Sequence, residues 1–332
     1  MTTHHRVPAG LAYPTGWFAL GFSGELKPGR VVTSRIAGGD IVLYRTRSGT
    51  VHATDPFCPH LGAHLGHGGG VEGEDIVCPF HGFAFAPDGR CARVPGGTNP
   101  PRAVLTKRPV REVDGMIFVW WNSQGSPPAW EPGADTLTGY SRQITHMYPP
   151  LQGHIQDAAE NAADLAHFSK IHGWHNAKVT VADFSTPIST TEISATYHGL
   201  PILVRIVQHG LGQITGLATV PSLGVRAHLK GFPVQTEPDQ WVLRTAESVK
   251  VDAIRHLPFR QGIHLAVNHA AQRWWTIPQQ MRDIVIWTTK TYLEHPRLSS
   301  ADGPIMAMRR WAAQFYDHSM TALKQAEEVQ SR

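Results

Sequence analysis

Between residues 15 and 121 the apolar positions fall in short alternating runs cut by turn pairs, the period-two signature of strands. In "RVVTSRIAGGDIVLYRTRSGTVHATD", β-branched runs are separated by Gly-Gly-Asp and Ser-Gly, and "PVREVDGMIFVWW" is a further pair joined by Asp-Gly. This pattern predicts an all-β domain over 15–122. Residues 122–135, "NSQGSPPAWEPGAD", lack an apolar period and are rich in Pro, Gly and Ser, so they read as the connection to a second domain over 135–325. There the period changes. Residues 151–172 carry a helical pattern ending near Gly173, and runs such as "LPILVRIVQ" and "QWVLRTAESVKV", within roughly 180–270, suit antiparallel strands. Two more helices are predicted, one through "TIPQQMRDIVIWTTKTYLEHP" and one opening at Pro304 and continuing through "IMAMRRWAAQFYDHSMTALKQAEE". The expected fold class is α+β, an all-β N-terminal domain followed by an antiparallel sheet with helices of helix-grip type.

Composition adds limits. A chain of 332 residues has room for two domains with real cores. The amino terminus lacks a signal-peptide pattern and no apolar run is long enough to span a bilayer, so the protein is expected in the cytoplasm. Its formal net charge is +4, with Lys and Arg scattered and no run that reads as a nucleic-acid arm. A local concentration at Arg90, Arg93, Arg102, Lys107, Arg108 and Arg111 is either a solvated basic face or a docking surface for an acidic electron donor. No Gly-x-Gly-x-x-Gly opens a helix after a strand, so a nicotinamide cofactor is not expected on this chain.

Two of the three cysteines lie in "CPHLGAHLGHGGGVEGEDIVCPFHGFAF", where Cys58-x-His60 is followed, after seventeen residues, by Cys78-x-x-His81. Thiolate and imidazole both suit zinc and iron, and ligand identity alone leaves a Cys2His2 zinc site open. Here, however, each half supplies one Cys and one His from a glycine-bounded loop, whereas zinc-finger histidines commonly share a helix. A [2Fe–2S] cluster with two cysteines on one iron and two histidines on the other needs this symmetric contribution. "CPHLGAH" and "CPFHGF" resemble the Rieske motif in their ligands, in the Pro after each Cys and in the Gly after His81. The resemblance implies that Cys58 and Cys78 bind one iron, and His60 and His81 the other. His64 and His67 have no place in the motif and read as surface or supporting residues, and Cys91 as a free thiol.

The second domain carries "HIQDAAENAADLAHFSKIHG". On an ideal helix His167 and His172 lie about 140° apart, so sharing a metal needs a distortion or a helix that loosens before His172. Without further information, packed or surface histidines remain an equal reading. "ENAADLAHFSKIH" resembles the Asn-x-x-Asp-x-x-His-x(3–4)-His signature of the catalytic subunit of Rieske non-haem iron oxygenases. That resemblance makes His167 and His172 ligands of a mononuclear Fe(II) and Asp164 the bridge for electrons from the cluster of a neighbouring subunit. The family's remaining carboxylate ligand precedes a Trp, which points to Asp283, four residues before Trp287. The alternative is an exposed helix carboxylate beside Arg282.

Within the family, "YPTGWFALGFSGELKPG" and "DPFCPHLGAHLGHGG" resemble the 3-ketosteroid 9α-hydroxylase oxygenase component and the cholesterol 7-desaturases. Implied are a homotrimer, a separate NAD(P)H-dependent reductase or ferredoxin, dioxygen, and a bulky hydrophobic substrate, a steroid or sterol, that is hydroxylated or desaturated. The rival readings are a Rieske aromatic hydroxylase or demethylase, and a Rieske electron carrier with an appended binding domain.

Overall fold

The computed structural model describes residues 13–97, 99–299 and 301–316. The chain forms two compact units, Trp17–Ala134, and the residues from Asp135 onward together with those before Trp17.

In the first unit the alternating runs become short antiparallel strands. One sheet joins β1 (Gly16–Phe22), β11 (Met116–Trp121) and β10 (Val110–Val113); a second takes the order β2 (Val31–Ile36), β3 (Gly39–Arg45), β4 (Val51–Thr54), β9 (Lys107–Arg108). The third, β5 (Gly70–Glu72), β6 (Asp75–Val77), β7 (Ala84–Phe85), β8 (Cys91–Arg93), is made of strands of two or three residues. The β10–β11 hairpin turns on Asp114 and Gly115, both at positive φ (50° and 79°), as a two-residue turn matched to strand twist requires. The β4–β5 connection and the β6–β7 turn carry the two Cys/His pairs. Both thiols are packed into the core with Tyr44, Leu65, Ile76 and Phe85, and Cys91 is buried in the same cluster.

The second unit is built on one antiparallel sheet of eight strands. Its order is β12 (Ile144–Met147), β19 (Gln240–Val251), β18 (Val225–Glu237), β17 (Ile214–Val220), β16 (Leu200–His209), β15 (Ile188–Tyr197), β14 (Trp174–Asp183), with β13 (Leu151–Gln152) also paired to β19. Among the described residues five α-helices accompany it: α1 (Ile155–Glu160), α2 (Leu165–His172), α3 (Arg260–Ala271), α4 (Ile277–Thr289) and α5 (Ile305–Ala313).

Three elements differ from the sequence pattern. Residues 151–172 are not one helix: the chain leaves β13, forms α1, breaks at 161–164, and restarts where the Asp164 carboxylate caps α2 by accepting from the His167 N–H. Residues 260–271 are helix, not strand. The helix predicted through 276–296 is the continuation of α3 across a π-type segment, Gln272–Thr276, and it stops at Thr289. The closing helix is observed as α5, and its predicted extension past Tyr316, with the end of the 135–325 domain, lies outside the described residues.

Candidate active site and metal centres

In the first unit, two loops repeat one construction. Cys58 N–H donates to the Ala63 carbonyl and Gly62 N–H returns to the Cys58 carbonyl, both at 2.9 Å; Cys78 to Phe83 and Gly82 to Cys78 do the same at 2.8 and 3.0 Å. Gly62 and Gly82 sit at φ 75° and 68°, a conformation that penalises a Cβ. These turns hold both sulfurs inward, 2 % exposed. Burial pushes the Cys58 thiol up and the adjoining Cys78 thiol adds to this, while the N–H groups of His60 and Leu61 donate to the Cys58 sulfur and work the other way. A sulfur already receiving peptide N–H groups, as that of Cys58 does, is prepared to become a thiolate once a metal takes its proton. The imidazoles face outward: the His60 and His81 rings lie 5.0 Å apart, and His60 stacks on Phe83 at 4.2 Å. This arrangement fits a [2Fe–2S] cluster with buried sulfur ligands and near-surface histidines. His64 stands outside it. Its Nδ1 accepts from Gly66 N–H and its Nε2 meets Asp40 at 3.2 Å, fixing the loop to β3.

In the second unit, α2 and α4 bring His167, His172 and Asp283 together, with one ligand atom from each lying within 4.8 Å of the others. The 140° problem is met at the end of α2. Gly173, at φ 70°, donates its N–H to Phe168, five residues back in place of four, which widens the last turn beneath His172. The imidazole rings come to 5.1 Å.

Each ring is aimed by its other nitrogen. His167 Nδ1 donates to the Asp164 carbonyl at 2.6 Å, and His172 Nδ1 to Gln279 Oε1 at 3.0 Å, so both Nε2 lone pairs are left for a metal. His172 Nε2 lies 3.3 Å from Asp283 Oδ1. Burial disfavours the charged form of His172, but Asp283 outweighs it and holds its pKa above the ordinary value; at His167 burial wins and the pKa falls. Two imidazoles and one carboxylate on one side of a pocket suit iron(II) with open positions.

Asp283 is not an exposed helix acid: its side chain is 13 % exposed, and Arg282 turns away to donate to the Ile171 carbonyl at 2.9 Å. Trp287, one turn on, donates to Asn161 Oδ1 at 3.2 Å. The Asp164 carboxylate, 32 % exposed, sits 3.8 Å from His167 Nδ1, whose proton goes to the Asp164 carbonyl.

Two residues of this site escaped the sequence pattern. Gln279 lies one helical turn before Asp283, a spacing that would have put it on the same face. Glu247 is an acid at an inward position of β19, visible only as an interruption in an apolar run.

The three donors stand on the wall of a cavity of about 230 Å³. Its floor is one face of the sheet, where Gly216 and Ala218 on β17 and Ala227 and Gly231 on β18 leave out side-chain volume. Phe168, Trp174, Trp275 and Trp287 supply much of its wall.

Comparison with known proteins agrees with both halves. Residues 16–127 match the Rieske [2Fe-2S] domain and residues 239–316 the 3-ketosteroid 9alpha-hydroxylase C-terminal domain. A cholesterol 7-desaturase of Ciona intestinalis is 30 % identical, the match covering 94 % of this chain and 70 % of that protein. The oxygenase component of a 3-ketosteroid-9-alpha-monooxygenase of Rhodococcus rhodochrous is 27 % identical over 92 % of this chain and 84 % of its own. Among solved structures, dicamba monooxygenase bound to dicamba superposes with a TM-score of 0.69 at 16 % identity, covering 97 % of this chain and all of that one, a likeness of fold. The chain therefore belongs to the Rieske non-haem iron oxygenases, in the group of the cholesterol 7-desaturases and 3-ketosteroid 9α-hydroxylases, and carries a [2Fe–2S] cluster and a mononuclear iron(II).

Proposed function

We propose that this oxygenase component hydroxylates or desaturates a steroid or sterol. The observation that carries the reading is the placement of His167, His172 and Asp283 on the wall of a largely apolar cavity. In this reading Cys58 and Cys78 hold one iron of the cluster, His60 and His81 the other, and the trio holds the mononuclear iron. The cluster supplies electrons one at a time from a separate reductase, and the mononuclear iron supplies dioxygen activation. The chain's own residues do the rest. The Asp164 carbonyl and Gln279 orient the two imidazoles, Arg282 ties α4 to the end of α2, and the apolar walls keep water from the reacting carbon.

The proposal includes a cytoplasmic homotrimer packed head to tail. Beside the exposed His60, Phe57, Leu61 and Phe80 are 59, 67 and 62 % exposed, an apolar surface that suits burial in an assembly. The partly exposed Asp164 carboxylate is open to a further donor, and a cluster histidine of the neighbouring copy would be that donor. Among the described residues no helix is long and apolar enough to cross a membrane.

The test is iron and acid-labile sulfide per chain in anaerobically purified protein, followed by a steroid and sterol panel coupled to oxygen uptake. About three irons and two sulfides, with turnover of a panel member, support the reading. Two irons and two sulfides after iron reconstitution would leave an electron carrier, and turnover confined to small aromatic substrates would replace the steroid assignment.

A further inference from the structure

The cavity floor carries one acid that holds no metal. Glu247 sits in the cross-strand row Ile206, Gly216, Leu229, Glu247, Ile144, and it lines the cavity while only 2 % exposed. Its Oε1 accepts from the Thr276 hydroxyl at 2.9 Å. Its Oε2 is buried with no hydrogen-bond partner among the described residues.

Two nearby donors are engaged elsewhere. The Tyr148 hydroxyl donates to Gln280 Oε1, and Asn268 Nδ2 donates to the backbone carbonyl of Glu247, not to its carboxylate. Among the described residues Glu247 has no ion pair, and the side chains beside it in its row are apolar or absent. A buried acceptor in such a wall costs stability unless something in the cavity meets it. Thr276 precedes Asp283 by seven residues, so Glu247 meets the cavity about 10 Å along the helix from the metal donors, a span of several carbocyclic rings.

We infer that Glu247 accepts a hydrogen bond from a hydroxyl group at the end of the substrate remote from the metal, so that the cavity selects a hydroxylated hydrophobic molecule over the corresponding ketone. This rests on the reading of the cavity as a steroid or sterol site. A hydroxyl gives its proton to Oε2; a ketone oxygen sets a second acceptor against it. Burial pushes the Glu247 carboxyl up to about 7, so above that pH the group is ionised and can only accept.

The experiment measures equilibrium binding of cholestanol and cholestanone, which differ only at the oxygen. It uses quenching of tryptophan fluorescence at pH 8, with both metal centres filled and oxygen excluded; Trp275 and Trp287 line the cavity. The expected result is roughly tenfold tighter binding of the alcohol by the wild type. In Glu247→Gln, where an amide N–H takes the place of Oε2, that preference is expected to vanish or reverse. Equal binding of the two by the wild type, or a preference for the ketone, would overturn the anchor and leave the steroid reading intact, whether or not the variant folds. An alcohol preference that persists in a folded Glu247→Gln protein would overturn it too. Failure of both compounds to bind the wild type would remove the steroid reading and the anchor with it.

Discussion

Single atoms decide how the second site is prepared. His172 reaches Asp283 with Nε2 because Gln279 takes the proton on Nδ1. Gln279→Leu would free that ring to rotate or change tautomer, and iron affinity should fall between about tenfold and a hundredfold while the cluster spectrum is kept. Iron titration of the apo mononuclear site checks this, and an unchanged affinity would mean that Asp283 alone orients the ring. Glu247 offers a pH test with a definite sign. Its carboxyl is raised from 4.5 to about 7, so within that window the folded protein keeps a proton that the unfolded chain has released. Stability from this group is therefore present below pH 4.5 and lost as pH rises to 7. The Glu247→Gln protein, which cannot ionise there, should gain on the wild type across the same interval by up to roughly 3 kcal/mol. Urea midpoints at pH 5 and pH 8 report the difference, and a constant gap between the two proteins would place the titration elsewhere.

Elements bring these atoms together. Asp157 pairs with Lys290 at 2.7 Å, Asn161 holds Trp287, and Ile171 and His172 hold Arg282 and Gln279, so α4 is fastened to α1 and α2 along its length. At the end of α2, Gly173 occupies φ 70°, with only the Tyr197 ring, at 3.9 Å, near an added Cβ. Gly173→Ala should then cost about 1 kcal/mol through backbone strain alone and lower iron retention. Thermal unfolding and iron content test the two effects, and a variant that loses stability but keeps its iron would separate the cap from the site. The α3 helix shows why one element was illegible. Its buried residues are His264 and Asn268, which dock on β19 by hydrogen bonds to Val251 and Glu247, so its core-facing stripe is polar. A hydrophobic period cannot reveal such a helix. The α1–α2 break was hidden for the opposite reason, since Ala162 and Ala163 continue an apolar pattern through a segment that is not helical.

For the whole molecule, the consequence to test is the division of labour between copies. In the proposed head-to-tail trimer the electrons for each mononuclear site would come from the neighbour's cluster, so Asp164→Ala and Cys78→Ser should each be inactive alone. Co-expressed in one cell they should regain part of the wild-type turnover, because some mixed trimers join an intact cluster to an intact Asp164. Activity of the purified mixed assembly, against each parent, measures this; no recovery in verified mixed trimers would confine the electron path to one chain.

How much was readable follows from the range of each interaction. The cluster loops are local: Cys, Pro, His and Gly at fixed short offsets specify turns whose hydrogen bonds close within a few residues, so "CPHLGAH" and "CPFHGF" announced them. Strand alternation and the Asp114-Gly115 hairpin are local too. His167 and His172 were visible as a pair, but their meeting depends on the five-residue bond at Gly173, and Asp283 and Gln279 reach them from more than a hundred residues away. Glu247 could not be seen as more than an acid in a strand. That it faces a cavity, with one oxygen engaged by Thr276 and the other unmet, depends on the register of β17, β18 and β19 and on a helix packed over them. Amino-acid order settles which backbone conformations are cheap within a turn or a strand; which distant polar atoms are buried together is settled only when the sheet and helices pack.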